Sequence, residues 1–129
     1  MEPLLEAALK SRDFAHAPFS KFRVGAALED SNGRIWTGCN VENASYGLTV
    51  CAERIAVFKA ISEGIKPRTF KRIAIAADTE KLTPPCGACR QILWEFIGNA
   101  EVILVNPRGK TARYQMIDLL PEPFDASFI

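Results

Sequence analysis

The chain has 129 residues, 48% hydrophobic and 24% charged, and its 16 Lys and Arg against 15 Asp and Glu leave a net charge of +1. That length suits a single domain, residues 1–129, around one core, and so even a charge balance supplies no field to gather nucleic acid or an anionic membrane. Acids stand in Met1-Glu2-Pro3-Leu4-Leu5-Glu6 where a secretory signal needs basic residues, and no apolar run approaches the ~20 residues of a membrane span, so the expected compartment is the cytoplasm.

Pro3 suits a first helical turn, and Leu4, Leu5, Ala8 and Leu9 recur at helical spacing, which predicts an amphipathic opening helix that packs on something flat. Phe22 to Leu28 and Ile35 to Cys39 read as strands. Asp30-Ser31-Asn32-Gly33 between them accepts left-handed turn geometry, so an antiparallel hairpin is expected. From Cys51 to about Gly64 the pattern is helical and apolar nearly all round, the mark of a mostly buried helix. Arg72 to Ala77 reads as a short apolar strand. After Thr83-Pro84-Pro85, the stretch Gly87 to Ile97 returns to helical spacing. Val102 to Val105 is a further buried strand, and only Asn106-Pro107-Arg108-Gly109 parts it from Lys110 to Gln115. A parallel crossover needs about a dozen residues or more, so the last two strands should be antiparallel. The expected fold is α/β: a three-layer α/β/α sandwich with a mixed sheet of about five strands.

Chemistry concentrates in Cys51-Ala52-Glu53 and Pro85-Cys86-Gly87-Ala88-Cys89. Cys86 and Cys89 are three apart, which at roughly 100° per residue places both sulfurs on one side of a first helical turn. Cys51 arrives at the start of another helix, so two positive helix ends converge on three thiols and favour thiolates. Structural zinc normally takes four protein ligands, whereas catalytic zinc keeps three and leaves one position open. Three thiolates with Zn²⁺ sum to −1, a surplus that weakens a Lewis acid. Arg54, three after Cys51, is the expected group to draw charge off a sulfur, with Arg90 a weaker candidate. Glu53 stands near enough to exchange a proton with water at the site; a blander role for it is to complement the helix dipole. Cys39 reads as a small buried hydrophobe at a strand end.

Cys-x-Glu with Pro-Cys-x-x-Cys is the zinc-deaminase signature in its three-cysteine form. Together with Ala17-Pro18-Phe19-Ser20-Lys21-Phe22-Arg23-Val24-Gly25-Ala26-Ala27, Gly38-Cys39-Asn40-Val41-Glu42-Asn43-Ala44 and Cys89-Arg90-Gln91, it gives a chain that over nearly its whole length resembles the small homotetrameric cytidine deaminases. The resemblance implies hydrolytic deamination of cytidine and 2′-deoxycytidine to uridine and 2′-deoxyuridine. It implies one Zn²⁺ per subunit on Cys51, Cys86 and Cys89, and Glu53 as the proton shuttle between water, N3 and the departing amine. It also implies that Asn40 and Glu42 hydrogen-bond the ribose 3′-hydroxyl, that Phe22 faces the pyrimidine, and that Ala52 offers its backbone N–H to the base carbonyl. Tyr46 and Phe124 would reach a neighbouring subunit's site in a homotetramer whose active sites lie at subunit interfaces. His16 and Phe19 stand where tyrosines are common in the family, and neither is expected to touch the chemistry.

Blander readings stand beside these. Phe22 alternates with Val24 as a core residue would, Asn40 and Glu42 could organise a turn, and the tail ending in Phe128 and Ile129 could pack on its own domain. Three rival functions are a deaminase of a cytosine nucleoside antibiotic such as blasticidin S, a thiol-disulfide protein built on Cys86-Gly87-Ala88-Cys89, and a binding module held by structural zinc. The redox reading leaves Cys51 and Glu53 unused, and the module lacks a fourth ligand.

Overall fold

The computed structural model describes residues 1–129. Helix α1 (Pro3–Ser11) opens the chain, followed by strands β1 (Val24–Asp30) and β2 (Ile35–Cys39), helix α2 (Ala52–Ser62), strand β3 (Phe70–Ala77), helix α3 (Gly87–Ile97), strands β4 (Glu101–Val105) and β5 (Thr111–Gln115), and a four-residue helix α4 (Met116–Leu119). One five-stranded sheet runs in the order β2-β1-β3-β4-β5. β1 is antiparallel to both β2 and β3, β3 and β4 are parallel, and β4 and β5 are antiparallel, so the sheet is mixed as the loop lengths predict. No helix is long and apolar enough to cross a membrane.

Alternation along the strands makes the three layers. On one face Ala27, Ala74, Ala76, Ile103 and Val105 meet Leu4, Leu5 and Ala8 of α1. On the other, Ala26, Leu28, Ile73, Ile75, Val102 and Leu104 meet Ala56, Val57 and Ala60 of α2 and Leu93 and Ile97 of α3. Successive residues of a strand point to opposite faces, so β3 feeds both cores. Each fully buried Leu or Ile contributes roughly 1.5–3 kcal/mol relative to exposure.

Small residues let the site-bearing helix come close. A Cβ on Gly38 would stand 2.5 Å from the Ala52 carbonyl oxygen and 2.6 Å from the Ala56 nitrogen. The first turn of α2 therefore lies directly on β2, and only glycine fits between them. Outside the core, Arg113 of β5 pairs with Glu2 at 2.9 Å and with Glu101 at 3.2 Å, while Arg72 joins Glu2 and Glu29 across the α1 side.

Several boundaries differ from the expected ones. β1 begins at Val24 and ends at Asp30, because Lys21 sits at φ 60° and turns the chain before the strand. Phe22 therefore lies in the turn, outside the strand assigned to it. β3 starts at Phe70, which pairs with Asp30 across a bulge. α4 was not anticipated; four residues are too few to display a period. His16 bridges to Val41, its backbone N–H donating to the Asn40 carbonyl.

Candidate active site

Two helix starts meet at the cysteines. Cys51 is the N-cap of α2 and Cys86 the N-cap of α3, both with extended backbone and neither side chain capping the backbone N–H groups of its helix. Sulfur is a weak acceptor, so both side chains stay free for another partner while the helix ends add partial positive charge. Cys89 comes back from the first turn of α3 and is buried, Cys51 is half-buried and Cys86 exposed. The three Sγ atoms lie within 4.8 Å of one another, and Cys39, at the end of β2, is outside the cluster.

The donors fit zinc. Three soft sulfur ligands converge with no fourth Cys, His or carboxylate in the group, which is the open ligand set of a catalytic rather than a structural site. Cys51 is drawn down to about 5 by a hydrogen bond from Cys89 and then by Arg54, against the opposing effect of burial. Its partner Cys89 is pushed up by the same bond, by burial and by the nearby Glu53 charge. Arg54 lends Nη2 to Cys51 Sγ at 3.5 Å and to the Thr49 carbonyl at 3.3 Å. The contact sets a cation beside the Cys51 sulfur. Arg90 does otherwise: Nε holds the Pro85 carbonyl and Nη1 the Leu119 carbonyl, so it touches the backbone of the cysteine loop rather than a sulfur.

Glu53, in the first turn of α2, is only 4% exposed. Burial pushes its carboxyl up to about 7, with the Cys51 charge adding to the rise and its own backbone N–H, Cys89 and Arg54 opposing it. A residue that merely complemented a helix dipole would lie on the surface as a low-pKa carboxylate. This one is buried beside the cysteines, and its carboxyl is pushed up rather than down.

With Cys89 buried behind them, Glu53, Cys51 and Cys86 line a cavity of about 300 Å³ together with Phe22, Asn40, Glu42 and Ala52, residues the sequence singled out. Its volume is at the small end of ligand pockets, roughly 300 to 1,000 Å³. Phe22 is 39% exposed and lines this cavity rather than the core. Asn40 is buried, its Oδ1 accepting from the Val24 N–H and its Nδ2 donating to the Phe22 carbonyl. Ala52, the first residue of α2, has a backbone N–H with no carbonyl one turn back to receive it.

Two expected residues stand apart from the cavity of their own chain. Tyr46 is 75% exposed and meets Phe19 edge to face at 6.0 Å. Phe124 is exposed and stacks on Phe128, while Gln91 of α3 donates to its carbonyl and Trp94 Nε1 donates to Asp125. The tail thus lies on α3 of its own chain and leaves these rings outward. Sequence reasoning missed Ser20, Thr49, Thr83 and Pro84 in the lining. Thr83 and Pro84 adjoin the cysteine loop and could have been found by proximity in sequence; Ser20 and Thr49 carry no spacing signal.

Residues 1–106 match the family model described as "Cytidine and deoxycytidylate deaminase zinc-binding region". The chain is 47% identical over 125 residues to a cytidine deaminase of Sporosarcina psychrophila, covering 96% of this chain and 90% of that protein. It is 47% identical over 124 residues to a cytidine deaminase of Halalkalibacterium halodurans, covering 95% and 92% respectively. The crystal structure of cytidine deaminase from Burkholderia pseudomallei superposes with a TM-score of 0.93 at 46% identity, covering 96% of this chain and all of that one. A family model spanning most of the chain, relatives similar over nearly their full length and a shared fold lead to one conclusion: the chain belongs to the cytidine and deoxycytidylate deaminase zinc-binding family.

Proposed function

We propose that this protein hydrolytically deaminates cytidine and 2′-deoxycytidine to uridine and 2′-deoxyuridine with release of ammonia, as a single-domain subunit of a homotetramer serving pyrimidine salvage in the cytoplasm. The observation that carries the reading is Glu53, a carboxyl buried in the wall of the cavity beside an open cluster of three cysteines. Zinc bound by Cys51, Cys86 and Cys89, one ion per subunit, would supply Lewis acidity that lowers the pKa of water from 15.7 toward about 7.

The chain's own residues do the rest. Glu53 takes a proton from the attacking water and delivers it to N3 of the pyrimidine, then carries a proton to the amine on C4. The water oxygen stays on C4, the C4–N4 bond breaks and the nitrogen leaves as ammonia. Phe22 lies against the ring, the Ala52 N–H binds the base carbonyl, and Asn40 and Glu42 bind the ribose 3′-hydroxyl. Arg54 tempers the charge of the thiolates. In the homotetramer Tyr46 and Phe124 would reach a neighbour's substrate; the exposure of both rings on the single subunit supports this. The small cavity, about 300 Å³, and the even charge favour a free nucleoside over a polynucleotide.

The test is to purify the chain, count zinc per subunit and follow amine loss from cytidine for the wild type and Glu53→Gln. The variant should keep zinc and lose roughly 10²- to 10⁴-fold in turnover. Zinc-loaded wild type that leaves cytidine untouched would overturn the reading.

A further inference from the structure

Glu42 makes more contacts than a residue waiting for a sugar needs. Its Oε1 accepts the Phe19 N–H at 2.9 Å and the Ser20 N–H at 3.1 Å, and its Oε2 accepts the Ser20 hydroxyl. The same Ser20 Oγ accepts the Phe22 N–H at 3.0 Å. A serine hydroxyl has one proton to give and two lone pairs. Here the proton goes to Glu42 and a lone pair to Phe22, so one oxygen joins the carboxylate to the backbone of the aromatic residue that lines the cavity.

The neighbourhood needs such a joint. Lys21, between Ser20 and Phe22, is held at φ 60°, a left-handed conformation that costs a residue with a side chain of order 1–3 kcal/mol and persists only where its surroundings impose it. The turn closes on the Lys21 N–H to Ala17 carbonyl bond, at 3.0 Å. Glu42 is pinned on its main chain, its N–H donating to the His16 carbonyl at 2.8 Å. Main-chain pinning leaves the carboxylate free to rotate about the side-chain torsions, and the three donors of the 19–20 turn fix it. In agreement, the carboxyl is held below its ordinary value, with the Ser20 hydroxyl as the largest cause. Asn40 binds the other side of the same segment through Phe22 O and Val24 N–H.

We propose that Ser20 is a positioning residue for sugar recognition: its hydroxyl aims the Glu42 carboxylate at the ribose 3′-hydroxyl and couples that carboxylate to Phe22. The proposal rests on the reading of Glu42 as the group that meets the 3′-hydroxyl. Ser20 lines the cavity beside Glu42, so the carboxylate it orients faces the ligand space. Without the hydroxyl, Glu42 keeps its charge and its two backbone donors but loses the constraint on Oε2. The defect therefore appears in how well the enzyme tells a sugar with the hydroxyl from one without it, and not in the chemistry at C4.

The experiment measures kcat and KM for cytidine and for 3′-deoxycytidine with the wild type, Ser20→Ala, Ser20→Thr and Glu42→Gln, together with zinc content and Tm. Ser20→Ala should lose roughly tenfold of the preference for cytidine, about one hydrogen bond to a charged group, chiefly through KM and with zinc content unchanged. Ser20→Thr keeps the hydroxyl and should hold the preference to within about twofold of the wild type. Should Ser20→Ala fail to fold, Ser20→Cys replaces it, its weaker S–H donor giving the same loss of preference while Ser20→Thr retains it. A Glu42→Gln preference that collapses while Ser20→Ala keeps the wild-type value sinks the role of Ser20 and leaves Glu42 standing. A Glu42→Gln preference equal to the wild type sinks the reading of Glu42, and the role of Ser20 with it. A loss in Ser20→Ala that is equal for both nucleosides and tracks Tm marks Ser20 as structural and overturns the proposal.

Discussion

Arg90 holds the carbonyl of Pro85 with its Nε at 2.8 Å, and so fixes the peptide that leads into Cys86. The same guanidinium reaches the Leu119 carbonyl at 2.9 Å, joining the cysteine loop to the segment that carries the tail. Pro85 is fully buried, and this carbonyl has a charged donor as its partner. A flat, forked guanidinium can serve two carbonyls at once where a lysine serves one.

Replacing Arg90 with Ala should therefore loosen the loop before it touches chemistry. Zinc release to a chromophoric chelator should quicken by roughly tenfold, in line with losing a charge-assisted hydrogen bond, while turnover of the zinc-loaded protein changes less. Arg90→Lys should fall between the two. An unchanged release rate in Arg90→Ala would show that the loop is rigid without it.

Arg54→Gln removes the cation 3.5 Å from Cys51 Sγ. Both zinc retention and turnover should fall, by roughly 10- to 100-fold, the usual range for a group that supports a ligand from outside the coordination sphere. Equilibrium competition with a chelator and steady-state assay of the loaded protein measure the two separately. If neither moves, the guanidinium serves only the Thr49 carbonyl.

Gly38→Ala places a methyl group where the first turn of α2 lies, 2.5 Å from the Ala52 carbonyl oxygen. Neither neighbour is the far end of a flexible side chain, so the helix start must shift. Tm should drop by roughly 5–10 °C, and because Cys51 and Glu53 ride on that turn, activity should fall further than the loss of folded protein explains. Activity that merely follows the folded fraction would contradict this.

Asp125 gives a pH-dependent clasp on the tail. The Ser127 hydroxyl, then the Trp94 indole and the Ser127 N–H, hold its carboxyl down at about 2, with the Arg68 charge helping. A depressed carboxyl stabilises the docked tail above its unfolded value near 4, and that stabilisation is lost as pH falls through about 2. In a Trp36→Phe background Trp94 is the one remaining indole, so its emission should hold steady from pH 7 to about 4 and change progressively below. Asp125→Ala should show the low-pH spectrum already at pH 7. A wild-type-like spectrum in that variant would mean the tail is held without the clasp.

The α3 boundaries were readable because Pro85 and Gly98 bracket the helix and its apolar period is plain. Cys86 and Cys89 were readable as a pair from their spacing at a helix start, and the joining of Cys51 and Glu53 to them is what the resemblance to the zinc deaminases implied. Phe22 misled because its alternation with Val24 mimics a strand, while the turn that displaces it is imposed by Asn40 and Glu42, far along the chain. Ser20 and the true partners of Arg90 were hidden for the same reason: side chain to backbone bonds across many residues leave no period and no spacing. The acidity of Glu53 was out of reach as a value, since it comes from how completely the folded chain shuts out water.

The ion pairs of Arg113 with Glu2 and Glu101 have a consequence for assembly. β5 forms one border of the sheet, and four of its five residues are exposed, Arg113 among them. An incoming strand would have to align against this charged border beside Lys110, a setting that discourages edge-to-edge addition. Copies of this chain are thereby steered away from joining their sheets into a continuous ribbon.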